Sequence, residues 1–214
     1  MGEPVIIYGK SGTGKSRSLK NFRPEEIMLV NTLSKRLPFP NQFKYELKTR
    51  NAETVKDQLS KMPCKVAVLD DFGYEETSSF MFGHTQGDQF KLYNRIADDV
   101  WTTVMYVKEQ LPEDVIVYFV FHEESNDLGE VKLKHIGKLL DQKVCVEGMV
   151  TICLRAMKVG TDRYFFRTQS DGYDISKSPE GMFELEIEND LKAVDSRIRE
   201  YYGMEVPHEE VESV

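Results

Sequence analysis

The sequence has no pair of cysteines at metal-binding spacing: Cys64, Cys145 and Cys153 form no C-x-x-C, and three is an odd number for a disulfide framework. Their apolar neighbours predict reduced, mostly buried thiols of a cytoplasmic protein. Long hydrophobic runs are also missing, so no stretch reaches the roughly 20 residues that a membrane-spanning helix needs. No leader peptide is expected, because the first residues run straight into an apolar strand. Positive charge is in deficit: 28 Lys and Arg against 36 Asp and Glu give a net charge of −8 over 214 residues. No global basic field therefore draws the chain onto nucleic acid, and such binding must come from local patches or from assembly. Repeats, low-complexity tracts and interdomain linkers are absent too. The expectation is one α/β domain over residues 1–203, with an acidic, flexible tail over 204–214.

What the chain does carry is Gly9-Lys10-Ser11-Gly12-Thr13-Gly14-Lys15-Ser16, directly after the apolar run Pro4-Val5-Ile6-Ile7-Tyr8. This fits G-x-x-x-x-G-K-[ST] without a gap, in a strand–loop–helix context. Glycines at 9, 12 and 14 let the backbone close around phosphates with its N–H groups inward. Lys15 is placed to reach the β- and γ-phosphates, and the Ser16 hydroxyl to ligate Mg²⁺. The following helix, entered through Arg17, adds its positive dipole end. Residues 9–17 are accordingly expected to bind a nucleoside triphosphate.

The pattern after this loop predicts alternating elements. A short helix from about Gly14 to Phe22 ends before Pro24, and Ile27 to Val30 reads as a second buried strand. Residues 33–47, with two prolines, are expected to be irregular or a small hairpin. Asn51 caps a helix with Val55, Leu59 and Met62 on one face. Lys65 to Asp70 is a third buried strand, and Phe72 to Gly87 lacks periodicity. From Asp88 to Leu111, apolar residues at spacings of three and four predict a long amphipathic helix. Val115 to Phe121 is a fourth core strand, followed by a polar stretch to His135. Strands at about 143–154 and 163–168 flank the turn Val159-Gly160-Thr161-Asp162 as a hairpin, and a helix from Asp190 to Tyr202 closes the fold. The class is α/β, a mainly parallel sheet with an antiparallel extension.

A phosphate-binding loop needs a carboxylate near the Mg²⁺, and Val66-Ala67-Val68-Leu69-Asp70-Asp71 supplies one. Asp70 leaves a buried strand at the edge where open α/β sheets bind ligands, and is assigned to the Mg²⁺ shell through a water. Asp71 either orients the attacking water or faces solvent. The strand 115–121 ends in His122-Glu123-Glu124. His122 and Glu123 suit contact with the γ-phosphate or the attacking water, with a solvated strand end as the alternative.

Several stretches together resemble the phage-borne RecA-like ATPases, the core-only recombinase and single-strand-annealing paralogues. They are the loop at 9–16, Lys35-Arg36-Leu37-Pro38-Phe39, Val66 to Asp71 and the strand ending in His122-Glu123-Glu124. His135 to Leu140, Val146 to Ile152, Ser178 to Phe183 and Ile187 to Leu191 extend the likeness over nearly the whole chain. The resemblance implies a RecA-like P-loop core, Mg²⁺-dependent and DNA-stimulated ATP hydrolysis, and single-stranded DNA binding in phage recombination, annealing or replication. It also implies a homo-oligomer in the host cytoplasm, with other phage replication or recombination proteins as partners. ATP rather than GTP follows from the same likeness, and no N-K-x-D guanine-reading motif stands where one is expected.

In RecA-type proteins, DNA-binding loops follow the Mg²⁺ strand and the next one, which here means Phe72–Gly87 and Ser125–Lys138. The first offers Phe72, Tyr74, Phe80, Phe82 and His84 for stacking, and the second Lys132, Lys134, His135 and Lys138 for phosphates. One departure stands out. RecA-type enzymes carry a catalytic glutamate after the strand that follows the P-loop helix, where this chain has Asn31-Thr32. Asp71, Glu123 or Glu124 serves instead, or hydrolysis is slow. Lys138, Arg155 and Lys158 are candidates to act in trans on a neighbour's nucleotide. Two other functions compete: a nucleotide-binding regulator or loader of a replication partner with little hydrolysis, and a small-molecule (nucleotide) kinase, for which no tight arginine cluster marks a lid.

Overall fold

A computed structural model of the chain describes residues 1–40 and 42–205. Nine strands are present among them: β1 (Glu3–Gly9), β2 (Ile27–Asn31), β3 (Tyr45–Leu47), β4 (Val66–Asp70), β5 (Ile116–Ser125), β6 (Val131–Leu133), β7 (Ile152–Val159), β8 (Arg163–Arg167) and β9 (Glu186–Glu188). Four α-helices accompany them: α1 (Ala52–Leu59), α2 (Gly73–Gly83), α3 (Gln89–Gln110) and α4 (Leu191–Tyr202). The sheet runs β3-β2-β4-β5-β1-β7-β8-β9, parallel from β3 to β7 and antiparallel from β7 to β9. It is an α/β fold with a mostly parallel sheet flanked by helices and a C-terminal antiparallel hairpin.

The apolar strand runs without polar breaks are explained by burial on both faces. Side chains alternate between two cores, as the two-residue strand period requires. On one face Ile6, Tyr8, Val30, Leu69 and Phe119 pack with Val55 and Leu59 of α1 and Val100 and Val104 of α3. On the other, Val5, Ile7, Leu29, Val68 and Tyr118 meet Leu19 and the α4 residues Leu191, Val194 and Ile198. Helix starts follow capping chemistry: Asn51, Asp88 and Asp190 each accept a backbone N–H of the first turn through the side chain.

Several expectations need correction. The helix after the glycine-rich loop is a 3₁₀ turn, Ser16–Asn21, cut short because Arg23-Pro24 blocks its continuation. Residues 33–40 and 42–44 are irregular, one of the two alternatives expected, but the other fails: β3 joins β2 in parallel, not as a hairpin, and Pro38 and Pro40 lack the N–H groups a returning ladder needs. Residues 73–83, expected to be a loop, form α2, anchored by buried Phe72, Glu75 and Glu76. β5 does not stop at Phe121 but runs to Ser125 and turns back as the β5–β6 hairpin. The strand expected from Lys143 starts at Ile152. A π-turn at Leu140–Val144 and a 3₁₀ turn at Val146–Met149 precede it, joined by Cys145 in the left-handed region (φ 56°), and Leu140 and Val146 plug the core from that loop. Met62, expected on the α1 face, lies past its end and still packs on the core. The cysteines are less uniformly buried than expected: Cys153 is buried, Cys64 half-buried and Cys145 exposed. The acidic tail lies outside the described residues from 206 onward. Among those described, no helix is long and apolar enough to cross a membrane.

Candidate phosphate-binding site

Strand register gathers the chemistry at one edge of the sheet. Gly9 stands opposite His122, Tyr8 opposite Arg155 and Asn31 opposite Asp70, so the ends of β1, β2, β4, β5 and β7 converge. β5 lies between β1 and β4, which puts His122 between the glycine-rich loop and Asp70-Asp71. Parallel strands all present the same end there, which is where loops are free to build a site.

The loop from Gly9 to Ser16 depends on glycine at Gly14 in particular. Its φ is 96°, and a Cβ there would lie 2.7 Å from the Tyr164 ring and 2.9 Å from Asn189 Oδ1. Lys15 is 7% exposed and folds back over the loop, its ammonium donating to the carbonyls of Gly9 (2.8 Å) and Lys10 (2.9 Å). Burial pulls its pKa down, against the pull of Asp71, Asp70 and Glu123. Thr13 Oγ1 donates to the Lys10 carbonyl at 2.8 Å, tightening the turn. Arg17 packs its guanidinium 4.6 Å above the Tyr164 ring and donates to Asn189 Oδ1. Ser11, Gly12, Gly14, Lys15, Ser16 and Arg17 line a cleft of about 520 Å³, while Gly9, Lys10 and Thr13 shape the loop behind it.

Asp70 and Asp71 are both buried at this cleft, and their environments push them in opposite directions. Burial, reinforced by the neighbouring Asp71 charge, raises the Asp70 carboxyl to about 6, and the Ser16 hydroxyl donates to both its oxygens (3.1 and 2.9 Å). Burial also acts on Asp71, but hydrogen bonds from His122 and Lys35 outweigh it and hold the carboxyl at about 2. His122 Nε2 is 3.1 Å from Asp71 Oδ1, and the Lys35 ammonium lies against Oδ2. Asp71 itself occupies the left-handed region (φ 56°), a conformation that aspartate tolerates better than most residues. The edge of the Tyr74 ring supports His122, with centroids 5.4 Å apart.

Among the described residues no cluster of three or more His, Cys, Asp or Glu side chains is placed to hold a metal by itself. Ser16 and Asp70 nevertheless present a hydroxyl and a buried carboxylate at one point of the cleft. This hard-oxygen pair fits the way Mg²⁺ is held, by one or two protein ligands plus phosphates and waters.

Other sequence candidates are brought elsewhere. Glu123 does not face the cleft: both its oxygens accept from Arg155 (2.8 and 2.9 Å), which also reaches Asp174. Glu124 lies 3.5 Å from Lys132. Of the proposed basic residues, Arg155 is thus spent on acids of its own chain, and Lys158 sits 4.9 Å over the Tyr164 ring. The two segments expected as DNA-binding loops are a helix and a hairpin. Phe72 is buried edge-on against Phe119 and Phe121, and Phe80 leans on Tyr93 and His84. Phe82 alone of those phenylalanines is exposed, at 69%. Lys132 pairs with Asp141 at 2.6 Å and His135 hydrogen-bonds buried Glu76 at 2.8 Å, leaving Lys134 and Lys138 on the surface.

Sequence reasoning gave no role to residues 35–39, yet Lys35, Arg36 and the apolar trio Leu37, Pro38 and Phe39 form a wall of the cleft. The available signal was a basic pair directly after a buried strand. Tyr164, on β8 and distant in sequence, was not legible at all. A scan against models of protein families and a search of curated proteins both found no match to this chain.

Proposed function

We propose that this chain is a P-loop ATPase with a RecA-like core, using Mg²⁺ and ATP and acting on single-stranded DNA in phage recombination, annealing or replication. The observation that carries the nucleotide part is one cleft in which Lys15 and Ser16 of a glycine-rich loop face Asp70 and Asp71 from a buried strand. An order in which a further strand separates the loop strand from the aspartate strand supports the core assignment. The DNA part rests on the resemblance.

In this reading the triphosphate takes over the Lys15 ammonium, now held by two loop carbonyls. Ser16 and Asp70 would hold Mg²⁺, whose chemistry there would be to neutralise developing phosphate charge. His122 and Asp71 orient a water in line with the γ-phosphorus. Its oxygen bonds to phosphorus, the bridging bond to ADP breaks, and the water's proton ends on the phosphate product. Held at about 2, Asp71 is a weak base and a good hydrogen-bond acceptor, so its role is orientation.

A second reading, a nucleotide-binding regulator with little hydrolysis, is favoured by the pairing of Glu123 with Arg155 and of Asp71 with Lys35. One ATPase assay, run alone, with single-stranded DNA and with a nucleoside monophosphate, separates the possibilities. DNA stimulation supports the main reading, binding without turnover the second, and transfer to the monophosphate a kinase.

A further inference from the structure

We propose that Lys35 is a γ-phosphate-reading cation supplied in cis, seated on Asp71 and handed to the third phosphate when a triphosphate enters. The inference rests on the nucleotide-binding reading above and adds a residue to which neither the loop motif nor the resemblance assigns a role.

Lys35 is not a wandering surface lysine. The Asn31 side chain at the end of β2 grips its backbone from both sides: Nδ2 donates to the Lys35 carbonyl at 2.7 Å, and Oδ1 accepts the Lys35 N–H at 3.1 Å. The turn is closed by Ser34 N–H donating to the Asn31 carbonyl at 3.2 Å, with Ser34 in the left-handed region at φ 54°. Asn31 is itself braced by Glu46 from β3, at 2.9 Å. The position where a glutamate was missing is thus occupied by a residue that builds a perch for a lysine.

From that perch the Lys35 ammonium reaches buried Asp71 while its own side chain stays 57% exposed in the cleft. Lys15, Lys35, Asp70 and Asp71 line the same cleft, and both ammoniums act on Asp70 electrostatically. A γ-phosphate held by Lys15 and Ser16 would enter the space between them. It carries more negative charge than one carboxylate and offers more acceptor oxygens, so a flexible ammonium with an exposed stem transfers to it. A diphosphate ends short of that point and leaves Lys35 on Asp71. The hand-over therefore reports the third phosphate, and it frees one oxygen of Asp71 for water.

The test compares ATP and ADP affinities, measured by calorimetry with Mg²⁺ on wild type, Lys35→Gln, Lys35→Arg and Asn31→Ala. Lys35→Gln should lose roughly 10- to 100-fold in ATP affinity with ADP unchanged, the scale of a hydrogen bond to a charged group. Lys35→Arg should recover much of that loss, and Asn31→Ala should show a smaller loss confined to ATP. Equal losses for ATP and ADP, or no loss in Lys35→Gln, would overturn the inference while leaving nucleotide binding intact. If wild type binds neither nucleotide, the functional reading fails and the inference with it.

Discussion

The two ends of the sheet solve the problem of buried charge differently. At the end away from the cleft, Arg199 is fully buried, yet its guanidinium donates to Asp195 (2.7 Å) and to the carbonyls of Asp114, Lys65 and Glu205. The Tyr118 hydroxyl donates to Asp195 at 3.1 Å and completes the set. All those partners are groups of the same chain, three of them backbone carbonyls fixed by the fold. At the cleft, buried Asp70 and Asp71 are answered instead by a serine hydroxyl, a histidine and an exposed lysine, while Lys15 rests on carbonyls of its own loop. Each of these partners can be exchanged for a phosphate oxygen, a cation or water. A charge network closed by its own chain holds strands together; one closed by replaceable partners is ready for a ligand.

The largest expected effect tests the closed end. Arg199→Ala leaves Asp195 buried without its cation and should cost about 3–5 kcal/mol of stability. Urea unfolding measures it, and a loss under 1 kcal/mol would show that the two networks do not differ as described. At the open end, Lys15→Ala should reduce turnover by roughly 10²–10³-fold, as lost electrostatic stabilisation does, with an unchanged circular-dichroism spectrum. Wild-type turnover in a folded Lys15→Ala variant would remove the cleft as the site of hydrolysis.

Glu75 belongs to neither pattern. It is buried, and among the described residues one oxygen has no hydrogen-bond partner while the other accepts from Ser79 alone, at 3.2 Å. Burial, with Asp99 nearby, pushes its carboxyl up to about 8. The unfolded chain releases that proton near the ordinary 4.5, so the native state loses stability from there until pH passes about 8. Glu75→Gln should therefore match wild type near pH 4. Its advantage should grow through neutrality and level off above pH 8 at a few kcal/mol. Thermal melts across pH read the trend, and a constant difference would mean the carboxyl stays ionised. The smallest effect concerns DNA: Phe82→Ala should weaken single-strand affinity by about 1 kcal/mol without altering the salt slope, whereas Lys134→Ala should flatten the slope. Anisotropy over a salt series separates them, and no binding at low salt with ATP shifts weight to the regulator reading.

Much of the fold was legible locally. The four central strands announce themselves as unbroken apolar runs, α3 as a three-and-four spacing, and three helix starts as Asn51, Asp88 and Asp190. The failures share a cause. Residues 73–83 run from an acidic pair through small polar residues to an aromatic cluster, with no helical stripe. They become a helix because Phe72 is buried by β5 and Glu76 by the segment beyond β6, contacts up to 60 residues away. Likewise the end of β5 looked like a polar loop, since its ladder partner Val131–Leu133 is too short to signal a strand.

Within the site, sequence alone pointed to the glycine-rich loop with Lys15 and Ser16, because the phosphate-binding pattern sets those residue types at fixed spacing on one strand–turn unit, and to Asp70 as the acid ending a separate buried strand. Tertiary structure alone decided which charges stay available. Glu123 and Asp71 are both acids at strand ends, and nothing in their own neighbourhoods distinguishes them. The registers of β1 with β5 on one side and β7 on the other bring Arg155 to Glu123, and the Asn31 turn places Lys35 on Asp71. Which partner an acid meets is set by strand order and long-range pairing, so the same residue type becomes a fixed brace in one place and an exchangeable contact in the other.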